Sequence, residues 1–140
     1  MPFNTFLIWL LRSRLYWVVG NGLMLVTVTG TKSGKTYTTP VNYLREGNKL
    51  WVTSLRDRTW WRNLRGGAPM RVWLAGKELP ASGFAIEDDR EVIENLTFYF
   101  QKAPQIAKFY KVKLDASAQP SAADVARIAR RRVMISIDLL

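Results

Sequence analysis

Between Leu23 and Phe84 the chain is a succession of short, apolar, β-branched segments, each halted by glycine, proline or asparagine before a helical turn could propagate. The run 23–29, Leu-Met-Leu-Val-Thr-Val-Thr, has the composition of a buried strand. Gly30 to Lys35 forms a turn, after which 36–43 resumes extended character. Pro40, which cannot donate to a ladder, places that segment at an edge or a bulge. Arg45-Glu46-Gly47-Asn48 closes a hairpin into a strand over 49–54. A loop over 55–59 leads to Trp60-Trp61-Arg62-Asn63-Leu64, one helical turn that Gly66-Gly67 stops, and strands over 69–74 and 77–84 meet tightly at Ala75-Gly76. The expected arrangement of 23–84 is a meander of five strands.

Downstream the period changes. Val92, Ile93, Leu96, Tyr99 and Phe100 share one face of a helix over 88–102, and a second short helix is expected over 104–111. After a loop over 115–120, Ser121 with Asp124 resembles a capping box for a helix through Arg130. The run 133–138 returns as a sixth strand. Strands, then helices, then a closing strand predict a mainly β fold with helices (α+β): a single barrel domain of about six strands with helices packed outside.

The length of 140 residues with 48% hydrophobic content suits one core. The chain contains neither cysteine nor histidine. That removes Ser-His and Cys-His nucleophile pairs, the common zinc sets and the usual proton shuttle near neutrality, so no metal site is expected. A bound organic cofactor asks the protein only for binding, orientation and electrostatics, which these residues supply. Lack of cysteine agrees with a reducing, cytoplasmic setting. The net charge of +10 attracts anions: a phosphorylated or polycarboxylate cofactor, nucleic acid or an acidic membrane surface.

At the N-terminus, 4–16 reads as an amphipathic helix with Phe6, Leu7, Leu10, Leu11 and Leu15 on one side, within an N-terminal segment 1–20. Arg12 and Arg14 interrupt it, so it is not a membrane span, and no cleavage site marks a secretory signal. Its apolar side either packs on the barrel or makes peripheral membrane contact through 3–19, with Trp9 and Trp17 at the interface.

Gly30-Thr31-Lys32-Ser33-Gly34-Lys35-Thr36 superficially matches a phosphate-binding P-loop, but Gly30 is one residue too close to Gly34-Lys35. Tyr37-Thr38-Thr39-Pro40 also favours a strand where a P-loop must open a helix. What remains is either a solvated hairpin or a turn whose two lysines, hydroxyls and backbone N–H groups cradle a phosphate or carboxylate.

The segment 23–41, then Tyr43 to Gly47, then Trp60-Trp61-Arg62-Asn63-Leu64, resembles the deazaflavin (F420)-dependent nitroreductase family of the split β-barrel flavin and deazaflavin oxidoreductases, over roughly residues 20 to 85. The resemblance implies a split barrel that binds reduced F420 and passes a hydride to a quinone, enone or nitro compound, with FMN as the alternative cofactor and a homodimer as the superfamily expectation. Carried over by position, Lys32, Ser33, Gly34 and Lys35 hold the phosphate and polyglutamate-like tail. Thr39, Pro40 and Val41 lie along the ring; Ser54, Arg56 and Arg58 add donors; Trp60, Trp61 and Asn63 wall the pocket. The chain departs from the family at Thr31, where arginine is frequent, and at Thr36-Tyr37, where Pro-Arg is frequent.

Each of these residues also has a plainer role. Adjacent tryptophans commonly divide between core and surface. Tyr37, Tyr43 and Tyr99 are either proton donors to a substrate or structural. Arg130-Arg131-Arg132 either forms a nucleic-acid patch or complements a helix dipole, and with no recognition motif beside it no specific nucleic acid is expected. Glu87, Asp88 and Asp89 favour the positive end of a helix over metal binding. Beyond a reductase, the remaining classes are a non-catalytic carrier of a flavin, tetrapyrrole or fatty acid, and a nucleic-acid binder.

Overall fold

Side chains on successive residues of the last strand face two different cores. Val133, Ile135 and Ile137 pack with Met24, Val26, Leu50, Val52 and Val72 on one side, while Met134 packs with Val92, Leu96, Phe100 and Val125 on the other. A strand with period-two side chains and apolar residues on both faces must lie between two layers.

The computed structural model describes residues 23–140. The helix expected over 4–16, with its membrane or barrel contact, lies outside the described residues. Among those described are strands β1 (Leu23–Thr29), β2 (Thr36–Asn42), β3 (Leu44–Glu46), β4 (Lys49–Leu55), β5 (Ala68–Leu74), β6 (Lys77–Ile86) and β7 (Arg132–Leu139). They pair antiparallel in the order β2-β1-β5-β6-β7-β4-β3. The two strands at the ends of this order, β2 and β3, are joined through Tyr43 alone. One bent stretch of chain therefore pairs with β1 along its first half and with β4 along its second, and the sheet curls until its two ends meet in that stretch. This is a split barrel. Its interior is filled by the cluster around Met24, Val26, Trp61, Leu64 and Val72.

The strand expected over 36–43 is present as β2, paired with β1 along its whole length, and past Tyr43 the short β3 is a further strand, paired with β4. The order differs from the expected meander: β4 pairs with β7, and β5 pairs with β1. Only a tight turn forces consecutive strands to pair, and between β4 and β5 the chain runs through a loop and a 3-10 helix (Trp60–Leu64) that carries it across the barrel.

Helices α1 (Asp89–Lys102), α2 (Pro104–Phe109) and α3 (Ala122–Ala129) form the second layer, over the face that carries Met134 and Trp51. The side chain of Asp88 caps α1 by accepting from the Glu91 N–H at 3.2 Å. The other two acids of the expected cluster are tied to arginines: Glu87 to Arg65 through two bonds of 2.9 and 3.0 Å, and Asp89 to Arg56 at 3.4 Å. Ser121 caps α3 by accepting from the Asp124 N–H at 3.3 Å. The Asp124 carboxylate does not complete a box but accepts from the Lys113 N–H at 3.0 Å, and that bond holds its carboxyl below the usual carboxylate range. Among the described residues, no helix is long and apolar enough to cross a membrane.

Gly83 in β6 is required by close packing. A Cβ there would meet Met70 Sδ at 2.5 Å and both terminal carbons of Leu64 at 3.0 and 3.1 Å. Gly83→Ala is therefore expected to cost about 1–3 kcal/mol through overpacking. A urea midpoint equal to that of the wild type would show that Met70 and Leu64 yield freely.

Candidate functional site

The hairpin ladder pairs Leu44 with Trp51 and Glu46 with Lys49, so continuing its register sets Asn42 opposite Thr53 and Val41 opposite Ser54. Those residues do not pair. Pro40 has no N–H to give, so β2 cannot keep a full ladder on both edges, and from Asn42 back to Thr39 it stays with β1 and leaves β4. The separation opens a cleft of about 190 Å³ lined by Thr39, Pro40, Val41, Asn42, Thr53, Ser54, Leu55, Arg58, Trp60 and Arg132. Two arginines and no carboxylate are among these residues, so the cleft favours an anionic ligand.

Of the residues singled out from the sequence, Thr39, Pro40, Val41, Ser54, Arg58 and Trp60 meet here. Both tandem tryptophans are buried in the barrel cluster, but only Trp60 of the two also lines the cleft; the Trp61 Nε1–H donates to Leu55 O at 3.2 Å. Arg56 does not reach the cleft, because its Nη2 donates to Glu87 O and Asp89 Oδ1. The Ser54 hydroxyl, expected to donate to a ligand, donates instead to Leu55 O at 3.2 Å, and the Thr53 hydroxyl donates to Val133 O at 3.1 Å. Each hydroxyl thus has its proton engaged within the protein and keeps its lone pairs for accepting.

The turn before β2 lies outside the cleft lining, separated from it by Thr36–Thr38, roughly 10 Å of strand. Four of its backbone donors are used within the protein. The N–H groups of Gly30, Gly34 and Lys35 go to Lys35 O, Gly30 O and Ser33 Oγ, and that of Thr31 goes to Asn63 Oδ1 at 3.1 Å. An outward nest of several N–H groups is therefore not what this turn presents; the side chains of Lys32 and Lys35 are exposed. Gly30 is needed because a Cβ would meet Ser33 Oγ and the Tyr37 ring, each at 2.9 Å. Asn63 clamps the turn rather than walling the cleft: its Oδ1 holds Thr31 while its Nδ2 donates to Trp60 O at 3.1 Å.

None of the three tyrosines weighed as proton donors lines the cleft; Tyr37 is exposed, its hydroxyl 3.4 Å from Ser33 Oγ of the turn. Tyr43 packs against the barrel core at the point where β2 gives way to β3. Tyr99 is 1% exposed between α1 and the sheet, and among the described residues its hydroxyl has no hydrogen-bond partner. Burial pushes its pKa up. Tyr99→Phe removes an unsatisfied buried hydroxyl, so it is expected to leave stability unchanged or raise it by up to about 1 kcal/mol. A fall in the urea midpoint would reveal a partner for that hydroxyl.

Asn42, Thr53 and Leu55 also line the cleft without having been singled out, as does Arg132, which was weighed only within the basic run 130–132. The hairpin register was the available signal for the first three. Arg132 pairs with Leu55 at the start of β7, a pairing between segments far apart in sequence that no local pattern discloses.

The fold matches solved structures at low sequence identity. One, described as a domain-swapped dimer, has 18% identity and a TM-score of 0.54, with 85% of this chain and 81% of that chain covered. The Agrobacterium tumefaciens protein Atu2129, of unknown function, has 17% identity and a TM-score of 0.51 over 85% of this chain and 51% of its own. General Stress Protein 26 of Bacillus anthracis has 15% identity and a TM-score of 0.50 over 84% and 78%. No curated protein matches by sequence. The sequence model of the F420H(2)-dependent quinone reductases matches residues 15–117, a span that takes in β1 to β6, the cleft residues other than Arg132, and α1 and α2. With most of its length matched, the chain belongs to the F420H(2)-dependent quinone reductase family.

Proposed function

We propose that this chain binds reduced F420 in the cleft between β2 and β4 and reduces a small quinone, enone or nitro acceptor. The observation that carries this reading is the cleft itself. It combines the apolar residues Pro40, Val41 and Trp60 with the hydroxyl residues Thr53 and Ser54 and the cations Arg58 and Arg132, and among the described residues no carboxylate lines it. That donor set fits a flat heteroaromatic ring joined to an anionic arm.

When bound, the deazaflavin supplies the hydride. The chain's share is placement. Pro40, Val41 and Trp60 would flank the ring and keep water from it, and Thr53 and Ser54 would accept from its N–H groups. Lys32 and Lys35, standing past Thr36–Thr38 on the β2 bank, would hold the phosphate. Among the described residues, the ionisable groups that line the cleft are Arg58 and Arg132, and we assign the proton that completes reduction of the acceptor to solvent.

Fluorescence titration of the purified protein with F420, and in parallel with FMN, at physiological salt tests the reading. Micromolar or tighter binding of F420 alone is the expected result. Preference for FMN would keep the cleft and change the chemistry; binding of neither would overturn the reading.

A further inference from the structure

The stretch from Lys102 to Leu114, which builds α2 and the turn after it, carries four lysines and no acid. α2 ends in Phe109, which is 76% exposed; among the described residues only Leu140 is a more exposed large hydrophobe. Beside it lies an apolar hollow of about 400 Å³ lined by Pro104, Gln105, Lys108, Val112 and Leu114. Gln105 and Phe109 stand one turn apart on α2, so the exposed ring continues the margin of the hollow. We propose that this surface docks the chain on an anionic lipid bilayer, with Phe109 entering the acyl boundary and Lys108, Lys111 and Lys113 meeting headgroup phosphates. The proposal is independent of what the cleft binds.

Of the four lysines, Lys102 is tied to Glu46 at 3.8 Å, whereas Lys108, Lys111 and Lys113 are exposed and among the described residues have no ion pair. Lys111 follows the C-cap Tyr110 with a φ of +60°, the left-handed position where a helix end favours glycine. Its N–H donates to Lys108 O at 3.0 Å, and the next N–H, of Val112, reaches back to Ala107 O at 2.8 Å. Glycine would relieve that backbone, so folding alone does not account for a lysine there. Lysine is depleted at protein interfaces, which favour arginine beside aromatic anchors, whereas its long stem lies along apolar surface and carries the ammonium out to a phosphate. One charge sign around a protruding phenyl ring therefore fits a lipid surface better than a protein one. The surface also communicates with the cleft. The Phe109 and Tyr110 rings meet edge-on with centres 5.4 Å apart, and the Tyr110 ring holds the guanidinium of Arg132, a cleft residue, 4.6 Å from its centre. A bilayer at Phe109 would stand two side chains from the cleft.

Co-sedimentation of the full chain with vesicles tests the surface, using phosphatidylcholine alone and equal parts of phosphatidylcholine and phosphatidylglycerol. The wild type is expected to bind the anionic vesicles, to be released as salt rises, and to leave the neutral ones unbound. Phe109→Ala should weaken that binding about five- to tenfold and Phe109→Leu much less, while Lys108→Gln/Lys113→Gln should weaken it by about tenfold or more. Lys111→Gly should weaken it about fivefold while its thermal midpoint stays level or rises, a combination that a folding defect does not produce. Absence of wild-type binding to the anionic vesicles overturns the proposal. So does undiminished binding in Phe109→Ala or in Lys111→Gly, which would put the lipid contact elsewhere on the chain. A single-stranded oligonucleotide or polyglutamate that binds the wild type at physiological salt but not the lysine variants, with vesicles unbound, would overturn it in favour of nucleic acid or an acidic protein.

Discussion

Trp61→Ala is expected to lose about 3–5 kcal/mol of folding stability, read as a lower urea midpoint at constant slope. Trp61 is among the largest fully buried side chains and packs in the barrel interior with Leu64 and Val72. Its indole N–H satisfies Leu55 O at 3.2 Å, and the guanidinium groups of Arg65 and Arg62 lie 5.2 and 5.7 Å from its ring centre. Truncation therefore removes a large apolar volume, takes one of three donors from Leu55 O, which keeps Arg58 N–H and the Ser54 hydroxyl, and unseats Arg65, which otherwise holds Glu87 at the approach to α1. Trp61→Phe keeps much of the volume and loses the N–H bond, and should cost less than half as much. Because Leu55 borders the cleft, the Ala variant should also lose ligand affinity. A variant that kept its midpoint would mean that the barrel closes over the gap.

Lys32→Ala/Lys35→Ala is expected to weaken F420 binding by roughly 10- to 100-fold while leaving the urea midpoint within about 0.5 kcal/mol of the wild type. Both side chains are exposed, and among the described residues neither has an ion-pair partner, so folding gains nothing measurable from them. The turn keeps its shape without them through Gly30 N–H to Lys35 O at 2.7 Å and Thr31 N–H to Asn63 Oδ1 at 3.1 Å, bonds that use backbone atoms at positions 30, 31 and 35. The loss should extend to the phosphorylated form that lacks glutamates. Unchanged affinity in the double variant would remove the turn from the site.

Local pattern made the strands legible because each is a short β-branched run between turn residues. Val133 to Ile137 announced β7 in the same way that Leu23 to Thr29 announced β1. Pairing order was not legible. Nothing near Lys49–Leu55 says that its partner is Arg132–Leu139, because that choice is made by burial in the assembled barrel. The change of partner at Tyr43 was half visible, since Pro40 signalled an edge without saying on which side. At the site, the family resemblance brought Thr39, Pro40, Val41, Ser54, Arg58 and Trp60 together, and the structure gathers these six around one cleft. Arg56 and Asn63 lie outside that lining, and their partners Glu87, Asp89 and Thr31 are met only once distant segments have come together.

The single residue between β2 and β3 makes the sheet a ring with a clasp. Going round it from β2 through β1, β5, β6, β7 and β4 to β3 returns to the same piece of chain, and the circuit is broken only over the few residues where β2 stands away from β4. A ligand in that gap touches both lips, so it completes the ring and does more than fill a hollow. Its occupancy should therefore be felt far from the clasp: amide exchange ought to slow along β5 and β6, on the opposite side of the ring, as well as at Thr39 to Asn42. An empty clasp leaves the barrel free to breathe along this one seam.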